Sequence, residues 1–345
     1  MKLQNILPAV LFAAVLAPSC TNDDDVQRLT KTDIPVTFSA YAPKAPLTSR
    51  AILTSSNLTD FITYGVVDNE LLMNEVKVST KRSKWTYSPL QYYPREKNVN
   101  FYSFAPAGIT YDKATNASDA STVNNFKNDG TVDLLYGVNL DRNEGNSNVN
   151  VYFRHALSQI RFRFLRNAEQ NVNATVYTVD LLGTNTTATF AAPQETTTAT
   201  NKAYGVWSGH KDIKDVNIYH DAGFATTDFA RELNNTGILF GIPQDLAMVI
   251  DENPAEGAII RIRARITNKF NGKLLWPDES APGYDKATGT AYIYYPLWSK
   301  DHTKWVSGCV YRYTFNVGIP DAAGFCNDVT VAEYPDFSDL TMGDE

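Results

Sequence analysis

The run AIIRIRARIT, residues 258–267, sets the class of the whole chain. Ile260, Ile262, Ala264 and Ile266 fall on one face and Arg261, Arg263 and Arg265 on the other, the period of two that a strand shows when one face meets a core and the other meets water. VYRYTFNVGI, residues 310–319, alternates in the same way, with Tyr311, Tyr313, Phe315, Val317 and Ile319 in phase. One-sided patterns of this kind belong to antiparallel sheets. Beyond the first twenty residues no segment keeps a helical period, and 19 Tyr and 17 Phe against 4 Met favour strands. An all-β protein is expected, and 345 residues are enough for two domains that each bury a core.

A third run places the organisation. In VNVYFRHALSQIRFRFL, residues 149–165, Val149, Val151 and Phe153 share one parity while Ile160, Phe162 and Phe164 take the opposite one. A single strand cannot hold both, so a bulge or crossover is expected between His155 and Ser158. The polar, glycine-containing DRNEGNSN just before it, residues 141–148, reads as the linker, which puts a domain boundary near Asn148.

The N-terminus carries a different signal. Lys2, an apolar run from Ile6 to Ala17 and small residues leading to Cys20 read as an export signal, since the run is too short to span a bilayer. Asp23, Asp24 and Asp25 follow as a solvated tether. IPVTFSAY, residues 34–41, then alternates as a strand with Ile34, Val36, Phe38 and Ala40 on one face. Directly after it comes a proline-punctuated segment ending in Arg50 and Ala51, open to a trypsin-like protease. Arg28, Lys31 and Lys44 are other basic residues in reach.

Several chemistries lack their residues. The chain has 31 basic and 38 acidic side chains, and removing everything up to Arg50 creates no basic excess, so nucleic acid is not an expected partner. No phosphate loop, HExxH, GxSxG or CxxC occurs. NLDRNEGNSNVN, residues 139–150, offers oxygens at Asn139, Asp141 and Asn143, but its glycine is one place late and no glutamate closes it, so no metal is expected. His155, His210, His220 and His302 are scattered, and His155 reads as a structural, hydrogen-bonded residue. The arginines of the opening run read as a solvated face. Cys309 and Cys326 either pair across neighbouring strands or remain small buried thiols. Carboxylates are plentiful, but sequence alone pairs no two of them for glycoside hydrolysis, and no cofactor is expected.

Motifs along most of the chain resemble the fimbrillin (Mfa-like) family of Bacteroidales, lipoprotein precursors of surface pili. They are FSAY at Phe38, SRA at Ser49, WTYSPLQYYP at Trp85, VNFYSFAP at Val99, VDLLYG at Val132, FRHALSQIRF at Phe153, FGIPQ at Phe240 and WVSGCVYRYTFNV at Trp305. Cys20 resembles the family's lipid-bearing cysteine, although the leucine of that signal stands one place early, at Leu16. The resemblance implies two tandem transthyretin-like antiparallel β-sandwich domains and no enzymatic activity. It implies a signal peptide over 1–20, a propeptide over 21–50, an N-terminal domain over 51–147 completed by strand 34–41, and a C-terminal domain over 148–345. It also implies lipid on Cys20 at the outer membrane, a cut by an arginine-specific protease after Arg50, and displacement of Ile34, Val36, Phe38 and Ala40 by a strand from another fimbrial subunit. Whether residues 328–337 donate such a strand is open. The competing expectation is a surface glycan-binding lipoprotein that uses Trp207, Trp276 and Trp298 as sugar platforms.

Overall fold

The computed structural model describes residues 30–42, 53–54, 57–201, 203–233, 238–246, 258–322, 324–326 and 329–335. The protein is all-β, and the described helices are two single 3-10 turns. The first half of the chain forms β1 (Lys31–Pro35), β2 (Thr37–Tyr41), β3 (Asp60–Val67), β4 (Glu70–Lys81), β5 (Lys84–Thr86), β6 (Tyr92–Pro94), β7 (Val99–Ala105), β8 (Thr122–Lys127), β9 (Leu135–Arg142), β10 (Asn148–Tyr152) and β11 (Arg154–His155). The second forms β12 (Ser158–Arg166), β13 (Val172–Ala191), β14 (Val206–Ala225), β15 (Arg231–Glu232), β16 (Ile238–Gly241), β17 (Ile259–Asn268), β18 (Leu274–Trp276), β19 (Ala291–Pro296), β20 (Cys309–Val317) and β21 (Val329–Pro335).

In the first half, a six-stranded antiparallel sheet in the order β11-β9-β7-β3-β4-β5 is accompanied by two small pairs, β1-β6 and β10-β2. In the second half, one sheet runs β15-β12-β20-β21 with β16 also on β12, and the other runs β14-β13-β17-β18 with β19 on β17. The one-sided alternation read from the sequence holds for β17, whereas in β20 the inward face is as expected but Val310 and Arg312 of the opposite face are buried as well. Ile260, Ile262, Ala264 and Ile266 of β17 are fully buried, as are Tyr311, Tyr313, Phe315 and Val317 of β20. Ile319 does not follow them: β20 ends at Val317 and Ile319 is exposed. β20 also departs from the all-antiparallel expectation, because it lies parallel to β12 and antiparallel to β21.

The expected break at 155–158 is a crossover. β11 ends at His155 on β9, and β12 begins at Ser158 in a sheet of the second half. The linker, however, is not at 141–148. β9 runs through Arg142 and β10 starts at Asn148, paired with β2 and therefore still part of the first half. A polar, turn-rich composition marks a tight β9–β10 connection equally well, because Asn143 caps the short turn that joins them. Asn139, read as a loop oxygen, is buried in β9 and donates its amide to the Asn150 carbonyl at 2.9 Å.

The two halves share packing. β13 pairs with β17 from Val172 to Leu182 and with β8 from Thr187 to Ala191, so this one long strand serves both halves. Between the two stretches Gly183 has φ +69°, a left-handed conformation that glycine adopts without a side-chain penalty. A buried cluster beneath joins Tyr64, Phe104 and Tyr136 of the first half to Phe190, Phe240 and Val310 of the second.

Candidate assembly groove

The segment that ends ahead of Arg50 is not one strand but two. β1 pairs antiparallel with β6, Lys31 opposite Pro94 and Pro35 opposite Tyr92. At Val36 the chain changes neighbours, and β2 pairs parallel with β10 from Thr37 opposite Asn148 to Tyr41 opposite Tyr152. The change of partner resets the facing of side chains. Val36 and Phe38 are buried at 0% and 6% exposure and Ala40 is half-buried, but Ile34 is 39% exposed. The expectation that Ile34 points inward with the other three is thereby corrected, since a single alternation cannot continue through a break in pairing.

The segment is held mainly through its backbone. The Arg95 N–H donates to the Thr30 carbonyl at 2.8 Å, the Val36 N–H to the Gln91 carbonyl at 2.9 Å and the Phe153 N–H to the Tyr41 carbonyl at 2.8 Å. The Tyr87 hydroxyl donates to the Val36 carbonyl at 2.9 Å. Tyr41 stacks on Tyr152 with ring centroids 4.8 Å apart. Burial pushes the Tyr87 and Tyr93 phenols above their ordinary value, so both stay protonated and keep donating through the neutral range.

The floor of the groove is aromatic. The Phe38 ring sits edge-on to Phe61, Tyr87 and Phe101, with centroids 5.8, 5.6 and 5.8 Å away. Val149, Val151 and Phe153 complete the same buried cluster. β10 comes this close because residue 137 of β9 is glycine: a Cβ there would stand 2.5 Å from Val151 Cγ1. Each of Val36 and Phe38 contributes about 1.5–3 kcal/mol by burial, an upper estimate relative to a compact unfolded chain.

Arg50, Ala51 and Cys20 lie outside the described residues. Where the described chain resumes, it is pinned. The Leu53 N–H donates to Asp133 Oδ2 at 2.8 Å, and Asp133 Oδ1 is 2.9 Å from His155 Nδ1, both side chains being almost wholly buried. The Leu58 N–H then donates to the Thr54 carbonyl at 2.9 Å, and β3 follows. His155 is therefore a structural, hydrogen-bonded residue, in keeping with the reading of its sequence. Tyr87 and Asp133 were not singled out from sequence; both lie in quoted motifs, but nothing local to WTYSPLQYYP or VDLLYG names a partner more than fifty residues away.

The other expected features fall elsewhere. Cys309 and Cys326 are thiols in and against the core of the second half. β21 lies antiparallel on β20 of its own chain. Arg261 is 3.1 Å from Asp180, and the guanidinium groups of Arg261 and Arg263 lie over the Tyr292 ring at 4.8 and 4.1 Å, so two of the three arginines cover the sheet rather than extend into water. Trp276 is buried in the core and cannot serve as a sugar platform, whereas Trp207 and Trp298 are half-buried.

A family model described as fimbrillin-like matches residues 59–332. No curated protein matches the sequence. Among solved structures, a fimbrial protein from Bacteroides vulgatus is 14% identical, with 87% of this chain and 98% of that one covered and a TM-score of 0.47. A fimbrilin from Porphyromonas gingivalis is 10% identical, with 87% and 97% covered and a TM-score of 0.46. The tip fimbrial protein Mfa3 of Porphyromonas gingivalis, truncated at its C-terminus, is 10% identical, with 87% and 99% covered and a TM-score of 0.38.

Proposed function

The chain belongs to the fimbrillin-like family, and from that membership we propose that it is a structural subunit of a cell-surface fimbria, kept unassembled by its own residues 34–41 until a protease cuts after Arg50. In this reading Cys20 carries the lipid that fastens the precursor to the outer membrane, and an arginine-specific protease acts once the protein is exported. The two halves act as tandem domains, the first completed in the precursor by segment 34–41. When that segment leaves, a strand from another subunit takes its place by β-augmentation, in which backbone hydrogen bonds supply affinity and alternate side chains fill pockets. The product is a scaffold for adhesion and catalyses nothing.

The observation that carries the reading is how the segment is held. β1 and β2 are each half of a two-stranded pair, so their loss leaves β6 and β10 without those partners. Only Val36 and Phe38 are fully buried plugs, and any strand with two bulky apolar residues two places apart can replace them. With both ends tethered, exchange requires breaking the whole set of backbone bonds at once; a cut after Arg50 releases one end.

The test treats purified precursor with trypsin at low dose, maps the new N-terminus and follows mass by light scattering, with wild type and Arg50→Ala side by side. Cut wild type is expected to oligomerise or to bind a C-terminal strand peptide of a partner subunit, while uncut Arg50→Ala stays monomeric. Wild type that is cut at Arg50 and does neither removes strand exchange from the account. Equal assembly by uncut Arg50→Ala removes the role of this bond.

A further inference from the structure

β14 is the outer strand of its sheet: β13 pairs with it on one side, and among the described residues no strand pairs with it on the other. It runs for 20 residues, and every residue from Ser208 to Asp215 is exposed. An open edge of that length is a template for another chain. From the order of charges along it we infer that β14 pairs with β14 of a second copy of this chain, antiparallel and centred on Ile213. The contact is separate from segment 34–41 and does not depend on cutting.

The backbone sets the centre. Thr186 Oγ1 donates to the Asp212 carbonyl at 2.7 Å and Thr184 Oγ1 to the Lys214 carbonyl at 3.2 Å, both from β13. Carbonyls alternate in direction along a strand, so the Ile213 carbonyl between them points away from β13. The Ile213 N–H does too, because it is trans to the Asp212 carbonyl across their shared peptide bond. A residue that turns both groups to the open side can exchange both hydrogen bonds with its own copy across a two-fold axis. Asp212 has φ +58°, which turns the edge at that residue and confines regular pairing to a short stretch about Ile213.

The charges set the register and the partner. With Ile213 opposite itself, Asp212 faces Lys214 of the second copy and Lys214 faces its Asp212, while Lys211 and Asp215 face each other one place further out. A slip of one residue puts Lys211 opposite Lys214 in one direction and Asp212 opposite Asp215 in the other. A slip of two puts Asp212 or Lys214 opposite itself, and parallel in-register pairing sets every charge against its like. Opposite charges facing each other across strands are favourable and like charges unfavourable, so one register of two copies is singled out. Charges ordinarily keep an open edge from pairing; here the order of signs along the edge is its own complement. Lys211 Nζ also donates to Asn125 Oδ1 at 2.7 Å, which leaves the inner pairs of Asp212 and Lys214 to fix the register. Ile213 is 47% exposed, and the pairing covers it with its own copy. A pairing this short buries less than about 1,200 Å², the range of weak contacts, so a dissociation constant of about 100 µM is expected and protein at about 5 µM stays monomeric.

The test is sedimentation velocity of the uncut precursor from about 5 to about 500 µM, across which wild type is expected to pass from monomer to dimer. Lys214→Asp sets two carboxylates opposite each other and Asp212→Lys two ammonium groups, and each is expected to weaken dimerisation by about tenfold. A one-to-one mixture of the two variants is expected to dimerise as wild type does, because the carboxylates of one meet the ammonium groups of the other. Both positions are exposed, so the variants are expected to keep the wild-type melting curve. Wild type that is still monomeric at the top of the range, which leaves the edge to a different chain, overturns the inference. So does Lys214→Asp that dimerises as wild type does, a result that decides the matter even where Asp212→Lys does not fold. A mixture that associates no better than its components overturns it as well. Because every sample is uncut and keeps segment 34–41, none of these results bears on strand exchange.

Discussion

Asp133 is a small, almost wholly buried side chain that uses both of its oxygens. Its two oxygens join three segments that are remote in sequence: the chain resuming at Leu53, its own position ahead of β9, and His155 at the end of β11. Replacing it with Ala leaves the buried His155 imidazole N–H without that acceptor, at about 1–3 kcal/mol, and the part-buried Leu53 N–H at less. Asp133→Ala is therefore expected to lower the melting temperature and, under limited thermolysin digestion, to open new cleavage sites within residues 53–59. Asp133→Asn keeps one oxygen and is expected to do less of both. If Asp133→Ala melts and digests as wild type does, Leu53 is held by something other than this pair. If the chain is cut after Arg50 as proposed, this anchor is expected to hold the new N-terminal segment from Leu53 onward.

The element that matters most is the β1–β2 segment, whose two short strands differ in what they contribute. β1 exposes Ile34 and adds backbone pairing with β6, whereas β2 drives Phe38 into the aromatic floor. A chain beginning at Ala51 loses the burial of Val36 and Phe38, about 3–6 kcal/mol as an upper estimate. Its urea midpoint is expected to fall, and a synthetic peptide of residues 34–41 to raise it again in proportion to peptide occupancy. The same peptide with Phe38→Ala should restore less, while Ile34→Ala should restore nearly as much, because only the first fills the floor. A truncated chain as stable as the full one, indifferent to either peptide, would show the segment to be peripheral.

At the scale of the whole molecule the question is whether two halves joined through one shared strand behave separately. β13 is shared by both, and Phe190 near its end lies in the central cluster 4.9 Å from Tyr136 of the first half and 5.1 Å from Trp207 of the second, measured between ring centroids. Phe190→Ala removes a fully buried ring from that cluster, at about 3–5 kcal/mol. Scanning calorimetry is expected to show one transition in wild type that moves as a unit in Phe190→Ala. Two transitions of which only one moves would mean that the shared strand does not couple the halves.

What could be read without coordinates follows from one physical fact: side chains alternate along an extended chain, so a face buried over several residues leaves its mark in the local order of residues. That gave the all-β class, the inward faces of β17 and β20, and the crossover at 155–158, where the parity changes. Which strand lies beside which leaves no such mark. The pairing of Thr37 with Asn148 joins residues 111 apart, and it carries β10 into the first half although the composition before Asn148 suggests a linker. Ile34 shows the same limit within a single run, since it belongs by alternation with Val36 and Phe38 and is turned out because β1 and β2 meet different neighbours. Asp133 with Leu53, Tyr87 with Val36 and Gln244 with Asn185 are likewise contacts made by closing long loops. Their residues are present in the sequence, but the distances between them exist only once the sheets have packed.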